Sequence, residues 1–89
     1  MKFDVKCVRQ FLFENGFVFT VRGYLYNNNN FIFNDKKYKR ILITQIRWPN
    51  DLDNFYKYSG FKSTNNWWNK ILVFCSKDKY LYLILKEIK

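Results

Sequence analysis

The sequence predicts a small α+β domain with a strongly bent sheet or a partial barrel. The first observation is the order of its elements, which is helix, two or three strands, short helix, helix and strand, without repeats or linkers. The second is the length of 89 residues, which allows one domain, 1–89, burying roughly 60 to 65% of its unfolded surface. The third is a hydrophobic content of 48%, which offsets the entropy of folding and argues against disorder.

A helix over residues 5–14 begins the predicted fold. Its apolar residues recur three and four positions apart and share one face: Val5, Val8, Phe11 and Leu12. Asp4 stands at the expected N-cap, and Gly16 stands where a helix ends in the left-handed conformation. We therefore expect an amphipathic helix with one buried face.

A strand over residues 17–24 follows and carries the most informative polar side chains of the chain. Because side chains alternate along a strand, one face is predicted to be core, formed by Phe17, Phe19 and Val21. The opposite face combines a hydroxyl, a guanidinium and an aromatic ring beside an aliphatic residue: Thr20, Arg22, Tyr24 and Val18. That combination suits the binding of a polar ligand.

The middle of the chain predicts further strands joined by turns. Four asparagines at residues 27–30 separate two aromatic-rich segments and predict a hairpin connection, because Asn tolerates the left-handed conformation. The return strand is predicted at residues 31–33, with a turn at Asn34 and Asp35. A longer strand over residues 38–48 then ends at Pro49.

Two helical segments and a last strand are predicted in the second half of the chain. A short helical turn begins at Asn50 or Asp51, runs to about residue 58 and ends at Gly60. Ser63 is the predicted N-cap of a helix over residues 64–74, whose inner face takes Trp67 or Trp68, Ile71, and Phe74 or Cys75. After a turn at residues 76–79, a strand over residues 80–88 is apolar on both faces, which is typical of a central strand.

The charge balance favours a polyanionic partner. Sixteen Lys and Arg residues stand against seven Asp and Glu residues, which gives a formal net charge of +9. Residues 36–47 hold five basic residues and no acidic one. A solvated edge strand protected by lysines would explain the same run, so the pattern alone leaves both interpretations open.

The residue inventory disfavours several classes of site. The chain has no histidine, and Cys7 and Cys75 are far apart in the sequence, so we expect no zinc site and no Cys-His nucleophile. The two cysteines are expected to be buried free thiols, with a disulfide between them as the alternative. There is no glycine-rich phosphate loop, and helix capping explains the close acidic pair Asp51 and Asp53. We assign no metal, cofactor or catalytic residue from the sequence.

The hydropathy pattern bears on localisation. No apolar run approaches the roughly 20 residues of a membrane span, and the first residues lack the apolar stretch of a signal peptide. The expectation is a cytoplasmic protein without a membrane partner.

Two short motifs resemble a known family. The run Thr20-Val21-Arg22, after a helix that ends at Gly16, resembles the Thr-x-Arg strand of ASCH domains in the PUA-like superfamily. The segment Ser59-Gly60-Phe61-Lys62-Ser63, with Trp67-Trp68, resembles the stretch that leads ASCH domains into an aromatic-rich helix. The resemblance covers roughly residues 5–87 and implies a small PUA-like (ASCH-type) pseudo-barrel of about five strands with two to three helices.

The resemblance also implies a cleft, lined by the Thr-x-Arg strand, that binds RNA or a nucleotide-like ligand. Some small ASCH members are amidohydrolases acting on acylated cytidines through a Lys early in this strand, the Thr and a later Glu. Here Thr20 matches, but Phe17 stands at the Lys position and no Glu lies between Glu14 and Glu87. Phenylalanine supplies neither a nucleophile nor a base, so catalysis is disfavoured unless a lysine such as Lys6 or Lys70 reaches the cleft.

These observations predict a small basic RNA-binding protein without catalytic activity. We expect Thr20 and Arg22 to make polar contacts in the cleft, and Tyr24 and Trp48 to stack on bases. A basic set is expected to attract phosphates: Lys36, Lys37, Lys39, Arg40 and Arg47.

Several alternatives stay open at this point. Charge alone does not separate RNA from DNA. The chain also fits an ASCH-type amidohydrolase acting on acylated nucleosides, or a protein-interaction module whose basic face docks an acidic partner. Trp48 has a packing role as its alternative, and Arg22 would be structural if it bonded to Asp51 or Asp53.

Overall fold

The fold is given by a computed structural model, which describes residues 3–75 and 77–87. In chain order the elements are helix α1 (Lys6–Asn15), strands β1 (Phe17–Arg22), β2 (Asn30–Phe33) and β3 (Lys36–Ile46), 3-10 turns Pro49–Leu52 and Tyr56–Tyr58, helix α2 (Thr64–Phe74) and strand β4 (Lys79–Lys86). The predicted turn residue Ser76 and the predicted strand end Ile88 lie outside the described residues. The α+β class is confirmed.

One antiparallel sheet contains the strands of the described residues, in the order β1-β4-β3-β2. β4 lies between β1 and β3 with Leu81, Tyr82 and Ile84 buried, so the prediction of a central last strand is confirmed. The sheet is open, with β1 and β2 as its two edges. The ASCH resemblance implied about five strands, whereas the described part of the chain holds four.

The predicted hairpin between β1 and β2 is wrong. The two strands form opposite edges of the sheet, and the segment between them crosses the sheet with the Tyr26 ring 5.5 Å from the Tyr82 ring. β4 is largely buried and apolar on both faces, so pairing with it buries more of β1 than pairing with the short β2 would. The predicted turn at Asn34 and Asp35 is confirmed, with φ angles of 53° and 63° in a two-residue hairpin between β2 and β3.

Each face of the sheet packs against one helix. On the first face, Val8 and Leu12 of α1 join a cluster with Val18, Tyr38, Tyr82 and Ile84. On the second face, Trp67 and Ile71 of α2 join a cluster with Val21, Ile46, Leu52 and Leu81. β1 contributes to both clusters, which places it between the two helices.

The expectation of one core face and one open face on β1 is wrong. Val18 is fully buried and Thr20 is only 4% exposed, because α1 covers the face that was expected to be open. Phe17 and Phe19 on the other face are half-buried against rings near the second 3-10 turn, Tyr58 and Phe55. Helix placement therefore decides the burial of this strand, and alternation alone does not.

Three predicted helix caps can be compared with the structure. Gly16 ends α1 with a φ of 77°, and its N–H donates to the Leu12 carbonyl at 2.8 Å, as predicted. Ser63 is confirmed as the N-cap of α2, because its Oγ accepts a hydrogen bond from the Asn66 N–H at 3.1 Å. The predicted cap at Asp4 is wrong, since Val5 occupies the N-cap position and its side chain has no acceptor.

α2 turns part of its predicted inner face to the sheet. Trp67, Ile71 and the following Cys75 are buried, whereas Phe74 is exposed. Cys7 and Cys75 are both free thiols, and burial raises the pKa of Cys75. Neither helix found in the described residues is long and apolar enough to cross a membrane.

Asp51 holds the chain where β3 leads into the first 3-10 turn. Its Oδ2 accepts hydrogen bonds from the backbone N–H groups of Arg47 at 2.9 Å and Trp48 at 3.1 Å. These two bonds lower the pKa of the Asp51 carboxyl. A carboxyl with a lowered pKa in the folded state stabilises the fold above its unfolded pKa, and this contribution is lost as the pH falls through the folded-state pKa.

We expect Asp51→Asn to lower the free energy of unfolding at neutral pH. The difference from the unsubstituted protein should shrink in acid, because the native carboxyl is then protonated as well. Urea unfolding at several pH values measures this, with Asp35→Asn in the β2–β3 turn as the control for losing one negative charge. A difference that stays constant into strong acid would contradict the assigned role of the carboxylate.

Candidate nucleic-acid interface

A cavity of about 570 Å³ lies where the start of α1, the end of β1 and the helix α2 meet. Its size falls within the range of roughly 300 to 1,000 Å³ that small-ligand sites occupy. The lining comes from three parts of the chain: Phe3, Asp4, Val5 and Val8; residues 20–24 with Tyr26; and Phe61, Trp67, Lys70, Ile71, Phe74 and Cys75. The structure therefore brings Thr20, Arg22 and Tyr24 to one concave surface.

Arg22 and Thr20 form a hydrogen-bonded pair at this cavity. The Arg22 Nη1 donates to Thr20 Oγ1 at 2.8 Å and to the Val21 carbonyl at 3.1 Å. The guanidinium carbon also lies 5.2 Å from the centre of the Phe3 ring. Burial lowers the pKa of Arg22, while the nearby Tyr26 side chain acts in the opposite direction. Because burial penalises the charged form of Arg22, an anionic group bound at this site would stabilise the charged guanidinium.

Two tyrosines extend the polar side of the cavity. The Tyr26 hydroxyl donates to the Tyr24 hydroxyl at 3.2 Å, and their ring centres are 4.9 Å apart. Burial, followed by this hydrogen bond, raises the pKa of Tyr26 to about 12. The Tyr26 phenol is thus neutral at physiological pH and keeps its donor. Tyr24 is exposed, so its ring is accessible to a base.

Aromatic rings form much of the remaining wall. Phe61 and Trp67 stack with ring centres 6.3 Å apart and an interplanar angle of 13°. Phe3 lies on the α1 side, and the exposed Phe74 lies on α2. A planar heteroaromatic group matches such a wall, because bases stack on aromatic rings with little regard to sequence.

The charged groups of the cavity favour an anionic ligand. Arg22 and Lys70 contribute two positive charges to the lining, and Asp4 contributes one negative charge. Asp51 and Asp53 do not line the cavity, and their carboxylates bond elsewhere: Asp51 to backbone amides, and Asp53 to the Thr64 hydroxyl at 2.9 Å. The alternative in which these two carboxylates hold Arg22 therefore finds no support in their contacts.

Arg40 is buried, which removes it from the predicted phosphate-attracting set. It is 6% exposed, and its Nε donates to the Asn28 carbonyl at 2.7 Å. Its guanidinium carbon lies 4.0 Å from the Tyr26 ring centre and 4.9 Å from that of Phe31. Arg40 thus fixes the crossing segment to the sheet, and a phosphate has no access to it.

The other predicted basic residues are exposed but lie in two separate places. Lys36, Lys37 and Lys39 belong to the β2–β3 hairpin at one end of the sheet. Arg47 and Trp48 follow β3 at the opposite end, which is also the end of Arg22, because Arg22 and Gln45 both pair with Tyr80. The two ends of β3 are on the order of 30 Å apart.

No acidic side chain occurs in any strand of the described sheet. The charged residues of the four strands are Arg22, Lys36, Lys37, Lys39, Arg40, Lys79 and Lys86. Seven of the sixteen Lys and Arg residues thus lie in strands that hold no acidic residue, and they occur toward the two ends of the sheet, where they can attract a polyanion.

The sequence interpretation missed several lining residues. Phe3 precedes every predicted element, and nothing in its sequence neighbourhood indicates a cavity. Of the two lysines named above as able to reach the cleft, Lys70 lines the cavity and Lys6 does not. Lys70 stands three positions after Trp67 on α2, which places both on one side of the helix. In the described chain, no three Cys, Asp or Glu side chains come together as metal ligands.

Comparisons with known proteins gave no significant match, either to a protein-family model, to a curated protein or to a solved structure. Function is therefore inferred from the cavity and the charge distribution of this chain.

Proposed function

We propose that the protein is a small RNA-binding protein that places one unpaired nucleotide in the cavity. The observation that carries the proposal is the meeting of a half-buried guanidinium, bonded to the Thr20 hydroxyl, with aromatic walls in one cavity. Unpaired RNA bases are bound by stacking and by polar contacts to their edges. A single site of this kind accommodates both the flat and the polar parts of a nucleotide.

The basic sheet extends the proposed contact beyond one nucleotide. Arg47 and Trp48 are exposed at the cavity end of the sheet, where a cation and a ring suit a neighbouring phosphate and base. Lys36, Lys37 and Lys39 lie too far away to contact the same nucleotide, so we assign them to general attraction of the backbone. A salt-dependent affinity follows from this arrangement.

The ASCH resemblance supports the same location for the site. It implies a ligand cleft on the Thr-x-Arg strand, and Thr20 and Arg22 line the cavity described above. We propose that the open four-stranded sheet with its two helices is a reduced version of the PUA-like pseudo-barrel. The cleft implied by the resemblance and the cavity described above agree in their position on the Thr-x-Arg strand. RNA binding as proposed does not require a closed barrel.

We expect the protein to bind labelled single-stranded RNA in a fluorescence anisotropy titration, more tightly than single-stranded DNA and with a steep salt dependence. Lys70→Ala should weaken binding and reduce the salt slope by about one unit, because it removes a cation from the cavity. Lys57→Ala is the control, because it removes one positive charge in the second 3-10 turn, away from the cavity. It should change neither the RNA affinity nor the salt slope.

Two outcomes would contradict the proposal. Absence of binding at low salt would exclude a nucleic-acid ligand under the conditions that favour it most. Equal effects of Lys70→Ala and Lys57→Ala would indicate attraction by overall charge, without a role for the cavity.

A second candidate function has one observation in its favour. Lys70, Thr20 and Asp4 line the same cavity, which provides an amine, a hydroxyl and a carboxylate in place of the Lys, Thr and Glu of the amidohydrolases. Phe17 packs elsewhere, 5.7 Å from Phe11 and 5.8 Å from Tyr58 between ring centres. Hydrolysis of an acylated cytidine by water would release the carboxylic acid and cytidine, and detection of that acid would favour this candidate over binding alone.

A further inference from the structure

Asp4 is the one acidic side chain among the described residues that line the cavity. The sequence predicted that it caps α1, but Val5 takes the N-cap position, without a side-chain hydrogen bond. Within the described part of the chain, the Asp4 carboxylate forms no hydrogen bond and no ion pair, and the side chain is exposed. Helix capping therefore does not explain why a carboxylate stands at this cavity.

The chain segment that carries Asp4 is fixed in position. Phe3 is 3% exposed, and its ring centre lies 5.0 Å from that of Phe33. The Phe3 carbonyl accepts a hydrogen bond from Arg9 Nη1 at 2.9 Å, and the Phe3 ring centre lies 5.2 Å from the Arg22 guanidinium carbon. The backbone before Asp4 is thus held near Arg22 before a ligand binds, which lowers the entropy cost of binding.

The charged groups of the cavity match a ligand that has both acceptors and donors. Arg22 and Lys70 are cations that donate hydrogen bonds, so they match acceptor atoms or a phosphate. An ionised carboxylate only accepts, through two oxygens that lie side by side, so Asp4 matches a pair of neighbouring N–H donors. The ligand should therefore carry two adjacent donors on one edge and acceptors on another.

We propose that the nucleotide held in the cavity carries guanine and that Asp4 selects this base. The inference rests on the proposed RNA binding and specifies its base. Guanine is the standard base whose N1–H and N2–H donors are neighbours on one edge, which fits both oxygens of a carboxylate. Its O6 and N7 acceptors suit the cationic groups of Arg22 and Lys70. Adenine, cytosine and uracil each offer donors from a single nitrogen, so they cannot satisfy both oxygens in this way.

Anisotropy titrations with labelled oligouridines that carry one variable base test the inference. Guanine should bind roughly fivefold more tightly than adenine, cytosine or uracil at that position, which is the lower end for a bidentate contact because Asp4 is exposed to water. Inosine lacks the 2-amino group and should bind with intermediate affinity. Asp4→Asn should abolish the preference, since an amide replaces one of the two acceptors by a donor.

Asp35→Asn is the matched control, because it removes the same charge in the β2–β3 turn, away from the cavity. Both substitutions should strengthen the binding of every oligonucleotide through the loss of one negative charge. The deciding quantity is therefore the ratio of the affinities for the guanine and uracil oligonucleotides. That ratio should fall to about one in Asp4→Asn and stay unchanged in Asp35→Asn.

The outcomes separate this inference from RNA binding itself. Equal affinities for all four bases, with Lys70→Ala still weakening binding, would overturn guanine selection and leave the RNA-binding proposal intact. A guanine preference that persists in Asp4→Asn would overturn the role of Asp4, and a preference for cytosine would contradict the assigned pair of donors. Absence of binding to every oligonucleotide at low salt would overturn both proposals.

Discussion

Gly60→Ala is expected to lower the free energy of unfolding by about 3 kcal/mol or more. Gly60 has a φ of 89°, a conformation that costs an L-residue with a side chain roughly 1 to 2 kcal/mol. A Cβ at this position would also meet the carbonyl oxygen of Cys7 and would lie 2.8 Å from the Cys7 carbonyl carbon. Both are backbone atoms of α1, so no change of side-chain rotamer can relieve the overlap.

Gly16→Ala is the matched control for this prediction. Gly16 also has a positive φ, of 77°, but a Cβ there would meet nothing within 4 Å. We expect a loss of about 1 kcal/mol, from backbone conformation alone. Urea unfolding of both variants, followed by tryptophan fluorescence and circular dichroism, gives the comparison. Equal losses would mean that the close approach of Gly60 to α1 does not contribute.

The Gly60 turn also forms part of the cavity wall. Before it, the buried Ser59 donates from Oγ to the Tyr56 carbonyl at 2.6 Å and accepts from the Phe61 N–H at 3.1 Å. After it, Phe61 stacks on Trp67 and lines the cavity. Close packing of Gly60 on α1 therefore sets the position of Phe61, and a folded Gly60→Ala variant should show altered ligand affinity as well.

Local patterns in the sequence predicted the elements that depend on nearby residues. The left-handed end of α1 at Gly16, the N-cap at Ser63 and the hairpin turn at Asn34 and Asp35 each follow from residue types within a few positions. The pairing of β1 is different, because its partner strand β4 lies more than fifty residues further along the chain. No turn residue encodes that pairing, so the asparagine-rich segment was misread as a hairpin.

The residues of the candidate site also form two groups, those that are close together in the sequence and those that only tertiary packing brings together. Thr20, Arg22 and Tyr24 could be grouped from the sequence, because they are close together along one chain segment. Phe3, Phe61 and Lys70 join them only through the packing of α1 and α2 around β1. These residues depend on tertiary structure, which a single sequence does not display.

The basic residues of the segment 36–47 show why residue type alone does not determine whether a side chain is exposed. Lys39 and Arg40 are neighbours in the sequence, yet Lys39 is exposed and Arg40 is packed against Tyr26 and Phe31. The difference arises because the face of β3 that carries Arg40 is covered by the segment that crosses from β1 to β2. The guanidinium is flat and tolerates stacking, so arginine suits this buried place better than lysine would.

Arg22→Ala is expected to weaken RNA binding by about 1 to 3 kcal/mol, which corresponds to a loss of roughly five- to more than hundred-fold in affinity. The physical reason is the loss of a planar donor group that Thr20 and Val21 hold at the cavity. Lys36→Ala, at the far hairpin, is expected mainly to flatten the salt dependence, because it removes only attraction to the backbone. Anisotropy titrations over a salt series measure both quantities for each variant.

Arg22→Lys separates the charge of Arg22 from its geometry. Lysine keeps the positive charge but cannot reproduce the fork of donors, so the affinity should still fall while the salt slope stays close to that of the unsubstituted protein. Unfolding curves of each variant establish that the fold survives, since Arg22 also bonds to Thr20 within the protein. If folded Arg22→Ala binds RNA as tightly as the unsubstituted protein, the cavity is not the RNA site. In that case the basic sheet alone would have to account for binding.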